Sequence, residues 1–452
     1  MSKLLVILGA GESGTGAALL AVRKGFTVFV TDQGPIKPEY KSQLTSEGIE
    51  FEEGGHTLER ILSAALIIKS PGIPDKAPVV AKARAAGVEV IDEIEFAFRY
   101  ITGKVIAITG TNGKTTTTLL TWHLLNSAGF RVALAGNVGE SLAGKVAQGD
   151  HDWYVVEISS FQLDGTRTFR PEIGILTNIT PDHLDRYDYR MENYVSSKFR
   201  LVNNMANTGH FIYHGQDPVI EKEITSRDIT PVKHPVSLDP QSSGVFCIGS
   251  EMHFNVAVSE FKIDQSDTTL KGTHNLLNTM CAVTAAMLAG VQENDIRYAL
   301  RTFKNAPHRL ESVATIRGVE FVNDSKATNV DSVVYALGSY RQPLIWIAGG
   351  IDKGNDYDRI KEAVAEKVKS LICLGKDNAR LFDYFTGIVP EITETENVRA
   401  LVRMALDQAQ SGYVVLLSPA CASFDLFKNY EDRGNQFRAA VLELKKEVEP
   451  AS

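Results

Sequence analysis

The chain has 452 residues, a net charge of −8 at neutral pH and a hydrophobic fraction of 44%. One hydrophobic core rarely serves a chain of this length, so we expect two or three domains. The acidic excess argues against nucleic acid as a partner, because binding to a phosphate backbone normally requires a basic surplus. No apolar stretch approaches the roughly 20 residues that a membrane helix needs, so we expect no membrane insertion.

Four cysteines are scattered along the chain without a C-x-x-C pair, at Cys247, Cys281, Cys373 and Cys421. This usage is typical of a reducing compartment and predicts no structural zinc. The opening residues MSKLLVILGAGESG contain a short apolar run that meets glycines at once, unlike a secretory signal. We therefore expect a cytoplasmic protein.

The first predicted domain begins with the buried strand LLVILG, a helix that ends at Gly25 and the strand TVFVTD. Strands and helices alternate up to about Tyr100, which predicts a parallel, doubly wound sheet. The segment GAGESG (residues 9–14) has the G-x-G-x-x-G spacing of a dinucleotide-binding turn, and Asp32 follows the next strand, where it is placed to bind a ribose hydroxyl. Such a turn binds NAD, the diphosphate of another nucleotide, or no ligand, and all three interpretations stay open.

A second α/β unit opens at Val105, with the predicted strands VIAIT, VALAGN, WYVVEIS and IGILTNI. Between the first of these strands and a helix beginning TTTTLL lies GTNGKT (residues 110–115), a phosphate-binding loop two residues shorter than the usual G-x-x-x-x-G-K-[ST]. Backbone N–H groups of this loop are expected to surround phosphate oxygens, with Lys114 on the terminal phosphates and the Thr115 hydroxyl on Mg²⁺. A solvated turn with one lysine is the alternative.

Three further polar residues stand near this loop in the predicted sheet. Glu157 lies in the apolar strand WYVVEIS, where a carboxylate is costly unless it binds Mg²⁺ or forms a buried salt bridge. The segment LTNITPDHLDRY places His183 after a strand, at the edge where parallel sheets bind ligands, as a candidate for metal or substrate binding. By its spacing alone, Lys198 is an ordinary surface lysine on a helix.

The sequence pattern changes between about Phe211 and Leu270, where short β-like segments separated by prolines predict a small antiparallel insertion. A helix, HNLLNTMCAVTAAMLAG, follows, and a third unit begins near Pro307. Its predicted strands are GVEFVND, PLIWIAGG, SLICLGK and YVVLLSP, and its helices DRIKEAVAEKV and NVRALVRMALDQAQ. The strand ends NDSKATN, GGIDKG and SPACASFDLFKNYEDRG predict a second ligand site, where Lys326 and Lys353 could bind a small dicarboxylate. Solvated lysines are the alternative.

Seven segments occur in order along the chain: ITGTNGKTTT, VVEISSFQL, LTNITPDHLDR, HNLLN, PHRLE, NDSKATN and SPACASFD. Together they resemble the Mur ligases, ATP-dependent enzymes that build the peptidoglycan stem peptide, and the shortened loop is characteristic of that family. The resemblance covers essentially the whole chain. It implies an α/β fold in three domains: a UDP-sugar-binding Rossmann-like domain (1–102), a central P-loop ATPase-like parallel sheet with a small β insertion (103–305) and a C-terminal Rossmann-like, amino-acid-binding domain (306–452).

Within the family, SPGIP, NDSKATN and SPACASFDLFKNYEDRG are most similar to the members that add D-glutamate to UDP-N-acetylmuramoyl-L-alanine. The resemblance therefore implies an ATP-dependent amide ligase that works through an acyl phosphate. A sister ligase for another amino acid is the main alternative, and an NAD-dependent dehydrogenase or a P-loop NTPase switch are alternatives from other classes. The expected partners are these small-molecule substrates, and we expect a monomer.

The resemblance also implies roles for individual residues, with Lys114, His183 and Lys198 as the catalytic ones. The UDP-substrate is assigned to Glu12, Ser13, Asp32, Gln33, Gly72, Asn137 and His183. ATP is assigned to Gly110, Thr111, Asn112, Gly113, Lys114, Thr115, Thr116, Asn275, Asn278, Arg309 and Asp324. D-Glutamate is assigned to Lys326, Thr328, Lys353, Ser423, Phe424 and Tyr430, the last of which replaces a phenylalanine.

Two Mg²⁺ sites are implied by the resemblance, with ligands from Thr115, Glu157, His183 and Lys198. In this family the lysine at the position of Lys198 carries a CO₂-derived carbamate. Unmodified lysine is a cation and would repel Mg²⁺, whereas a carbamate is an anionic oxygen donor of the kind that hard cations prefer.

Overall fold

The computed structural model describes residues 3–256 and 259–449. Residues 257–258, inside the predicted β insertion, and the chain ends 1–2 and 450–452, inside the first and third predicted domains, lie outside the described residues. Contacts divide the chain into two compact units. The first comprises the chain up to Thr269 with Leu276–Phe303, and the second comprises Leu270–Asn275 with the chain from Lys304 onward.

The N-terminal part of the first unit alternates strands and helices, as its apolar runs predict. Its elements are β1 (Leu4–Leu8), α1 (Glu12–Arg23), β2 (Thr27–Asp32), α2 (Pro38–Ser46), β3 (Glu50–Glu53), α3 (Leu58–Leu62), β4 (Leu66–Lys69), α4 (Pro78–Ala85), β5 (Val90–Asp92) and α5 (Glu93–Phe98). The strands form one parallel sheet in the order β3-β2-β1-β4-β5. Its direction of winding reverses between β1 and β4, so ligands are expected at the carboxyl ends of these strands.

The central part of the chain forms a larger sheet. Its elements are β6 (Lys104–Thr109), α6 (Lys114–Ser127), β7 (Val132–Gly136), α7 (Leu142–Gln148), β8 (Trp153–Glu157), α8 (Ser160–Asp164), β9 (Ile173–Leu176), α9 (Met191–Phe199), β10 (His210–His214), α10 (Pro218–Ser226), β11 (Val232–Ser237), β12 (Val245–Ile248), β13 (Glu251–Val256), β14 (Ser259–Asp264), α11 (Thr273–Ala289) and α12 (Glu293–Thr302). The order of the strands is β14-β13-β12-β11-β10-β9-β6-β8-β7.

The predicted antiparallel insertion is therefore only partly correct. Strands β10, β11 and β12 continue the parallel sheet, and among the described strands of this sheet the antiparallel pairings are β12 with β13 and β13 with β14. The three parallel pairings join strands that are distant in sequence or short, which the local pattern of prolines and apolar residues does not reveal. In β13 buried and half-buried side chains alternate, as expected near the open edge of a sheet.

The third sheet belongs to the second unit. Its elements are β15 (Glu311–Ile316), β16 (Val319–Asn323), α13 (Val330–Gly338), β17 (Leu344–Ala348), α14 (Asp358–Lys367), β18 (Val368–Leu374), α15 (Ala379–Phe385), β19 (Ile392–Thr395), α16 (Val398–Gln408), β20 (Val414–Leu417) and α17 (Tyr430–Val448). The order is β15-β16-β20-β17-β18-β19, with only β15 antiparallel to its neighbour. The α/β class predicted from the sequence is confirmed.

Among residues 3–256 and 259–449, no helix combines the length and the apolar character needed to cross a membrane. All four cysteines are buried free thiols. They pack as small apolar side chains within the cores of the two units.

Candidate active site

The loop between β6 and α6 has a backbone shape that requires its two glycines. Gly110 has a φ of 147° and Gly113 a φ of 82°, both in the region that L side chains rarely adopt. A Cβ on Gly110 would lie 1.9 Å from Thr177 Oγ1, and one on Gly113 would lie 2.3 Å from Asn278 Oδ1. The loop leads directly into the N-terminus of α6, whose dipole favours anions such as phosphate.

Asn178, which follows β9, holds this short loop in place. It accepts hydrogen bonds from Thr111 N at its backbone oxygen (2.9 Å) and from Asn112 N at Oδ1 (2.9 Å). Its own side-chain amide donates to Asn112 O at 3.0 Å, and the Thr177 hydroxyl donates to the same oxygen at 2.6 Å. Asn178 belongs to the segment LTNITPDHLDRY, which the sequence places at the ligand edge of the sheet, but its bracing role is not predicted, because its signal is merely a polar residue after a strand.

Two lysine side chains converge on the carbonyl oxygen of Gly110. Lys114 Nζ donates to it at 2.9 Å and to Thr111 O at 2.7 Å, and Lys198 Nζ donates to it at 2.7 Å. Lys198 is only 1% exposed, so its interpretation as a surface lysine is wrong. Helix α9 turns this face toward the core, where the ring of Tyr194 lies 4.5 Å below the Lys198 ammonium. Burial, and then the charge of Lys114, hold the pKa of Lys198 well below its usual range.

Glu157, at the end of β8, is a buried carboxylate that is suited to bind a metal ion. The residue is 1% exposed, its Oε1 accepts a hydrogen bond from Asn137 Nδ2 at 2.8 Å, and its Oε2 is buried without a partner. Among the described residues no lysine, arginine or histidine pairs with it, so the buried salt bridge is not formed. An orphaned carboxylate oxygen fits a divalent cation, and the nearby α6 begins with Lys114 and the buried Thr115.

His183 lies on an exposed turn after β9. Its φ of 50° is left-handed, and its ring contacts Phe161 at a centroid distance of 5.3 Å. His183 Nε2 lies 3.6 Å from Asp182 Oδ2. Among the described residues, no hydrogen bond or ion pair joins His183 to Glu157 or Lys198, which the resemblance groups with it as metal ligands.

The glycine-rich turn after β1 is tightly packed against its neighbours. Gly9 has a φ of 91° and lies against Ser70, and a Cβ on Gly14 would lie 1.8 Å from Gly9 O. Asp32 ties β2 to this turn, since its Oδ2 accepts from Ala10 N at 2.7 Å and its Oδ1 from Gly34 N at 2.8 Å. Ser13, Gln33 and Gly72, the other predicted residues at the carboxyl ends of these strands, are half-buried or exposed.

Glu12, in the first turn of helix α1, contacts the N-terminus of helix α7. Its Oε1 accepts a hydrogen bond from Ser141 N at 3.1 Å, at the N-cap of α7. Helix α1 packs closely on this N-cap at Gly16, where an added Cβ would lie only 1.9 Å from Ser141 Oγ. The carboxylate of Glu12 thus joins the first sheet to the second within the first unit.

A polar cavity of ≈ 520 Å³ lies between the loop after β4 and helices α8 and α9. Lys69 and Pro71 line one side, and Phe161, Arg186 and Arg200 line the other. The Arg186 guanidinium stacks 4.4 Å over the Phe161 ring, and its Nη2 donates to Pro71 O at 3.4 Å, next to Gly72. The volume is within the range of small-molecule sites.

In the second unit, the loops after β16, β17 and β20 are tied together. Ala420 N donates to Ala327 O at 3.0 Å, and Ile351 and Ala422 exchange backbone hydrogen bonds of 2.8 and 3.1 Å. These loops carry five of the predicted D-glutamate residues: Lys326, Thr328, Lys353, Ser423 and Phe424. The sixth, Tyr430, begins α17, and its ring lies 3.8 Å from the Lys326 ammonium.

The remaining predicted nucleotide residues are mostly buried. Asp324 accepts from Ser418 Oγ at 2.9 Å and from Leu310 N at 3.2 Å, and burial raises its pKa to about 7, although the charge of Arg309 opposes the rise. Asn275 and Asn278 stand on α11 and are 4% and 3% exposed. Asn278 Oδ1 accepts from Thr117 Oγ1 at 3.3 Å, which places it against the phosphate-binding loop.

Three family models match the chain in the order of its sheets. The "Mur ligase MurD-like, N-terminal domain" matches residues 3–92, the "Mur ligase middle domain" residues 108–286 and the "Mur ligase, glutamate ligase domain" residues 308–421. These matches overlap the first sheet, the phosphate-binding loop and the three tied loops.

Whole-chain comparisons agree with the domain matches. UDP-N-acetylmuramoylalanine--D-glutamate ligases from Cytophaga hutchinsonii and Bacteroides fragilis are each 49% identical to this chain, over 98% of it and 100% of their own length. A solved pseudomurein peptide ligase type C from Methanothermus fervidus has a TM-score of 0.62 at 20% identity, covering 98% of this chain and 100% of its own. That structure supports the fold, and the sequence relatives establish the family. The chain belongs to the Mur ligase family.

Proposed function

We propose that this protein joins D-glutamate to UDP-N-acetylmuramoyl-L-alanine in an ATP-dependent reaction of peptidoglycan precursor synthesis. The observation that carries the proposal is the 49% identity, along 98% of the chain, to relatives named for this activity. The braced phosphate-binding loop and the orphaned oxygen of Glu157 support the proposal, since such a ligase has to bind ATP and Mg²⁺.

The reaction has to activate a carboxylate, whose leaving group would otherwise be oxide. A carboxylate oxygen of the L-alanine end attacks the γ-phosphorus of ATP, the bond to the β–γ bridging oxygen breaks, and ADP leaves. The amine of D-glutamate then attacks the acyl carbon, loses a proton, and expels phosphate. Lys114 would offset the negative charge of the terminal phosphates, and the N-terminus of α6 would bind their oxygens.

The residues proposed to hold Mg²⁺ are Thr115, Glu157, His183 and a carbamylated Lys198, in two sites. When bound, the metal would reduce the charge repulsion between ATP and the acceptor carboxylate. Glu157 would offer the oxygen that is now without a partner, while Asn137 orients the other one. His183 would take part from the exposed turn after β9.

Carbamylation of Lys198 is favoured by its surroundings. Its amine is buried, shares the Gly110 carbonyl with Lys114, and pairs with no carboxylate among the described residues. Only the neutral amine reacts with CO₂: its nitrogen bonds to the carbon, one N–H proton leaves to solvent, and an anionic carbamate remains. This product would replace repulsion from Lys114 by attraction.

The two substrates that are joined are proposed to bind at the two strand-edge sites described above. The UDP-sugar would occupy the carboxyl edge of the first sheet, with Asn137 and the cavity beside Gly72 toward its sugar. D-Glutamate would bind on the three tied loops of the second unit, where Lys326 and Lys353 provide positive charge for its carboxylates. Asn275, Asn278, Arg309 and Asp324 are proposed for the nucleoside and phosphates of ATP.

The direct test supplies UDP-N-acetylmuramoyl-L-alanine, ATP, Mg²⁺ and D-glutamate and looks for the joined product by mass spectrometry. An amino-acid panel scored by ADP release separates this activity from that of a sister ligase. ATP turnover without the new amide bond would indicate an NTPase switch instead. Lys114→Met should lower kcat by roughly 100-fold or more. Lys145→Met is the matched control and should leave kcat unchanged, because this α7 lysine pairs with Glu140, just before the helix.

Carbamylation has its own test. Protein incubated with ¹³C-bicarbonate should show a carbamate carbon signal by NMR that is missing in Lys198→Ala. That variant should be nearly inactive and should recover activity with short-chain carboxylates. A signal that persists in Lys198→Ala would remove this assignment. We also propose a cytoplasmic monomer, which light scattering of the purified protein and cell fractionation would test.

A further inference from the structure

One residue of the segment SPACASFDLFKNYEDRG, Arg433, is not among the predicted D-glutamate residues. Arg433 lies in the first turns of α17, three residues after Tyr430, and is 1% exposed. It is among the largest fully buried side chains of the described residues. A buried guanidinium is costly unless its hydrogen bonds are satisfied, so its contacts define what it does.

The guanidinium of Arg433 contacts each of the three tied loops. Its Nε donates to Ser325 Oγ at 3.0 Å and its Nη2 to Ser325 O at 2.9 Å, in the loop after β16. Its Nη1 donates to Gly349 O at 3.4 Å, after β17, and to Cys421 O at 3.2 Å, after β20. All four acceptors are neutral, so the side chain works as a hydrogen-bonding fork and not as one half of an ion pair.

The same loops approach the guanidinium closely. Gly350 has a φ of 120°, and a Cβ there would lie 2.2 Å from Ala422 O and 3.4 Å from Arg433 Nη1. Ser325, which accepts two of the four hydrogen bonds, donates its hydroxyl to Tyr430 O at 2.8 Å. The fork therefore links all the segments that carry the predicted amino-acid residues.

We propose that Arg433 is a positioning residue for the amino-acid substrate: its planar fork sets the three loops at the spacing that a dicarboxylic amino acid requires. It does so through three backbone carbonyls and the Ser325 hydroxyl, and it does not touch the substrate. Lysine cannot replace it, because one ammonium offers three donors from a single point, whereas the acceptors surround a plane. The kinetic side of this inference rests on the proposed function, and its structural side does not.

The structural test is hydrogen exchange on the whole protein. In Arg433→Met and Arg433→Lys, the amides of Ile351, Ala420 and Ala422 should exchange roughly 10-fold faster or more, because the hydrogen bonds between loops open more often. Arg438→Met is the matched control. It removes a guanidinium from the same helix, but one that binds Glu311 at 2.7 and 2.8 Å, and should leave these amides unchanged.

The kinetic test separates KM from kcat. Both Arg433 variants should raise KM for D-glutamate by roughly 10-fold or more, with KM for ATP and for the UDP-sugar within about twofold of the parent. Unchanged exchange in Arg433→Lys, or its full recovery of the parental KM, would overturn the inference, because charge alone would then suffice. If the parent protein forms no product with D-glutamate, the proposed function fails, and the exchange measurement still decides the role of Arg433.

Discussion

Glu93 provides a prediction that depends on the structure alone. It begins α5 and is 1% exposed; one carboxyl oxygen accepts a hydrogen bond from Ala143 N in α7, and the other is buried without a partner. Burial raises its pKa to about 8, the charges of Asp92 and Glu12 act in the same direction, and the hydrogen bond from Ala143 opposes them. We predict that Glu93→Gln stabilises the first unit at alkaline pH.

The magnitude follows from the protons bound in the two states. An unperturbed glutamate has a pKa of 4.5, so between that value and about 8 the folded protein holds one more proton than the unfolded chain. Stability that is present in acid is therefore lost as the pH rises, by up to about 1.4 kcal/mol per pH unit. Over the whole interval the loss is at most about 5 kcal/mol, and relaxation around the ionised carboxylate brings the expected value to about 2–4 kcal/mol at pH 8.5.

Scanning calorimetry at pH 5.5 and pH 8.5 measures the effect, since it separates the transitions of two units that need not unfold together. Glutamine keeps an oxygen for Ala143 N but never ionises. The free energy of unfolding of the variant should lie within about 1 kcal/mol of that of the parent at pH 5.5 and should exceed it at pH 8.5. If Glu93→Gln is less stable than the parent by the same amount at pH 8.5 as at pH 5.5, the reasoning is refuted. Glu93 would then be ionised and paired in the folded protein.

Glu95 is the matched control, two residues further along the same helix and equally buried. Its Oε2 accepts from the backbone N–H groups of Arg167, Thr168 and Phe169 at 2.8, 2.9 and 3.1 Å. Burial alone would raise its pKa, but these hydrogen bonds lower it. The stability that ionised Glu95 contributes to the fold is thus present above the unfolded pKa and lost in acid. Glu95→Gln should therefore destabilise the protein most at neutral and alkaline pH, which is the opposite trend to Glu93→Gln.

Three further predictions concern ligand binding. Gly11→Ala should leave thermal unfolding unchanged, because nothing lies within 4 Å of the added Cβ, and should weaken UDP-sugar binding measured by calorimetry. In Gly14→Ala the added Cβ would lie 1.8 Å from Gly9 O, so this variant should destabilise the fold by roughly 1–3 kcal/mol. Gly110→Ala should lower both thermal stability and ATP affinity, since its Cβ would lie 1.9 Å from Thr177 Oγ1; parental ATP binding would contradict the loop geometry. A chelator in excess over Mg²⁺ should reduce ADP release to background, and added Mg²⁺ should restore it.

Much of the fold can be predicted because buried parallel strands are short apolar runs. The strands around Val105 and Leu344 carry no polar interruption and are read directly from the sequence. Strands β15 and β19 escape prediction because they lie at sheet edges, where most of their side chains stay half-exposed and no apolar run forms. Helix α17 is missed because its first turns, YEDRG, look like a polar loop, although Asn429 caps them and Arg433 is buried.

The site residues divide in the same way. A phosphate-binding loop has a local signature, so Lys114 and Thr115 are identified by spacing and context. Lys198 has none, because its burial comes from the packing of α9 and its amine meets Gly110 across 88 residues of sequence. Glu93 and Glu95 lie in the polar-looking segment DEIEF, and their burial depends on partners in α7 and after α8 that no local pattern connects to them.

The short phosphate-binding loop is held by a neighbouring segment of the chain. The residue after β9, Asn178, accepts hydrogen bonds from both Thr111 N and Asn112 N. Those two N–H groups are therefore already hydrogen-bonded within the protein, and binding phosphate through them would require these bonds to break. The more economical arrangement keeps Asn178 as a fixed brace and leaves phosphate to the N-terminus of α6 and to Lys114, which must first leave the Gly110 and Thr111 carbonyls. In this arrangement nucleotide binding would move one lysine and not the loop, so the cost of reorganisation would fall on a flexible side chain.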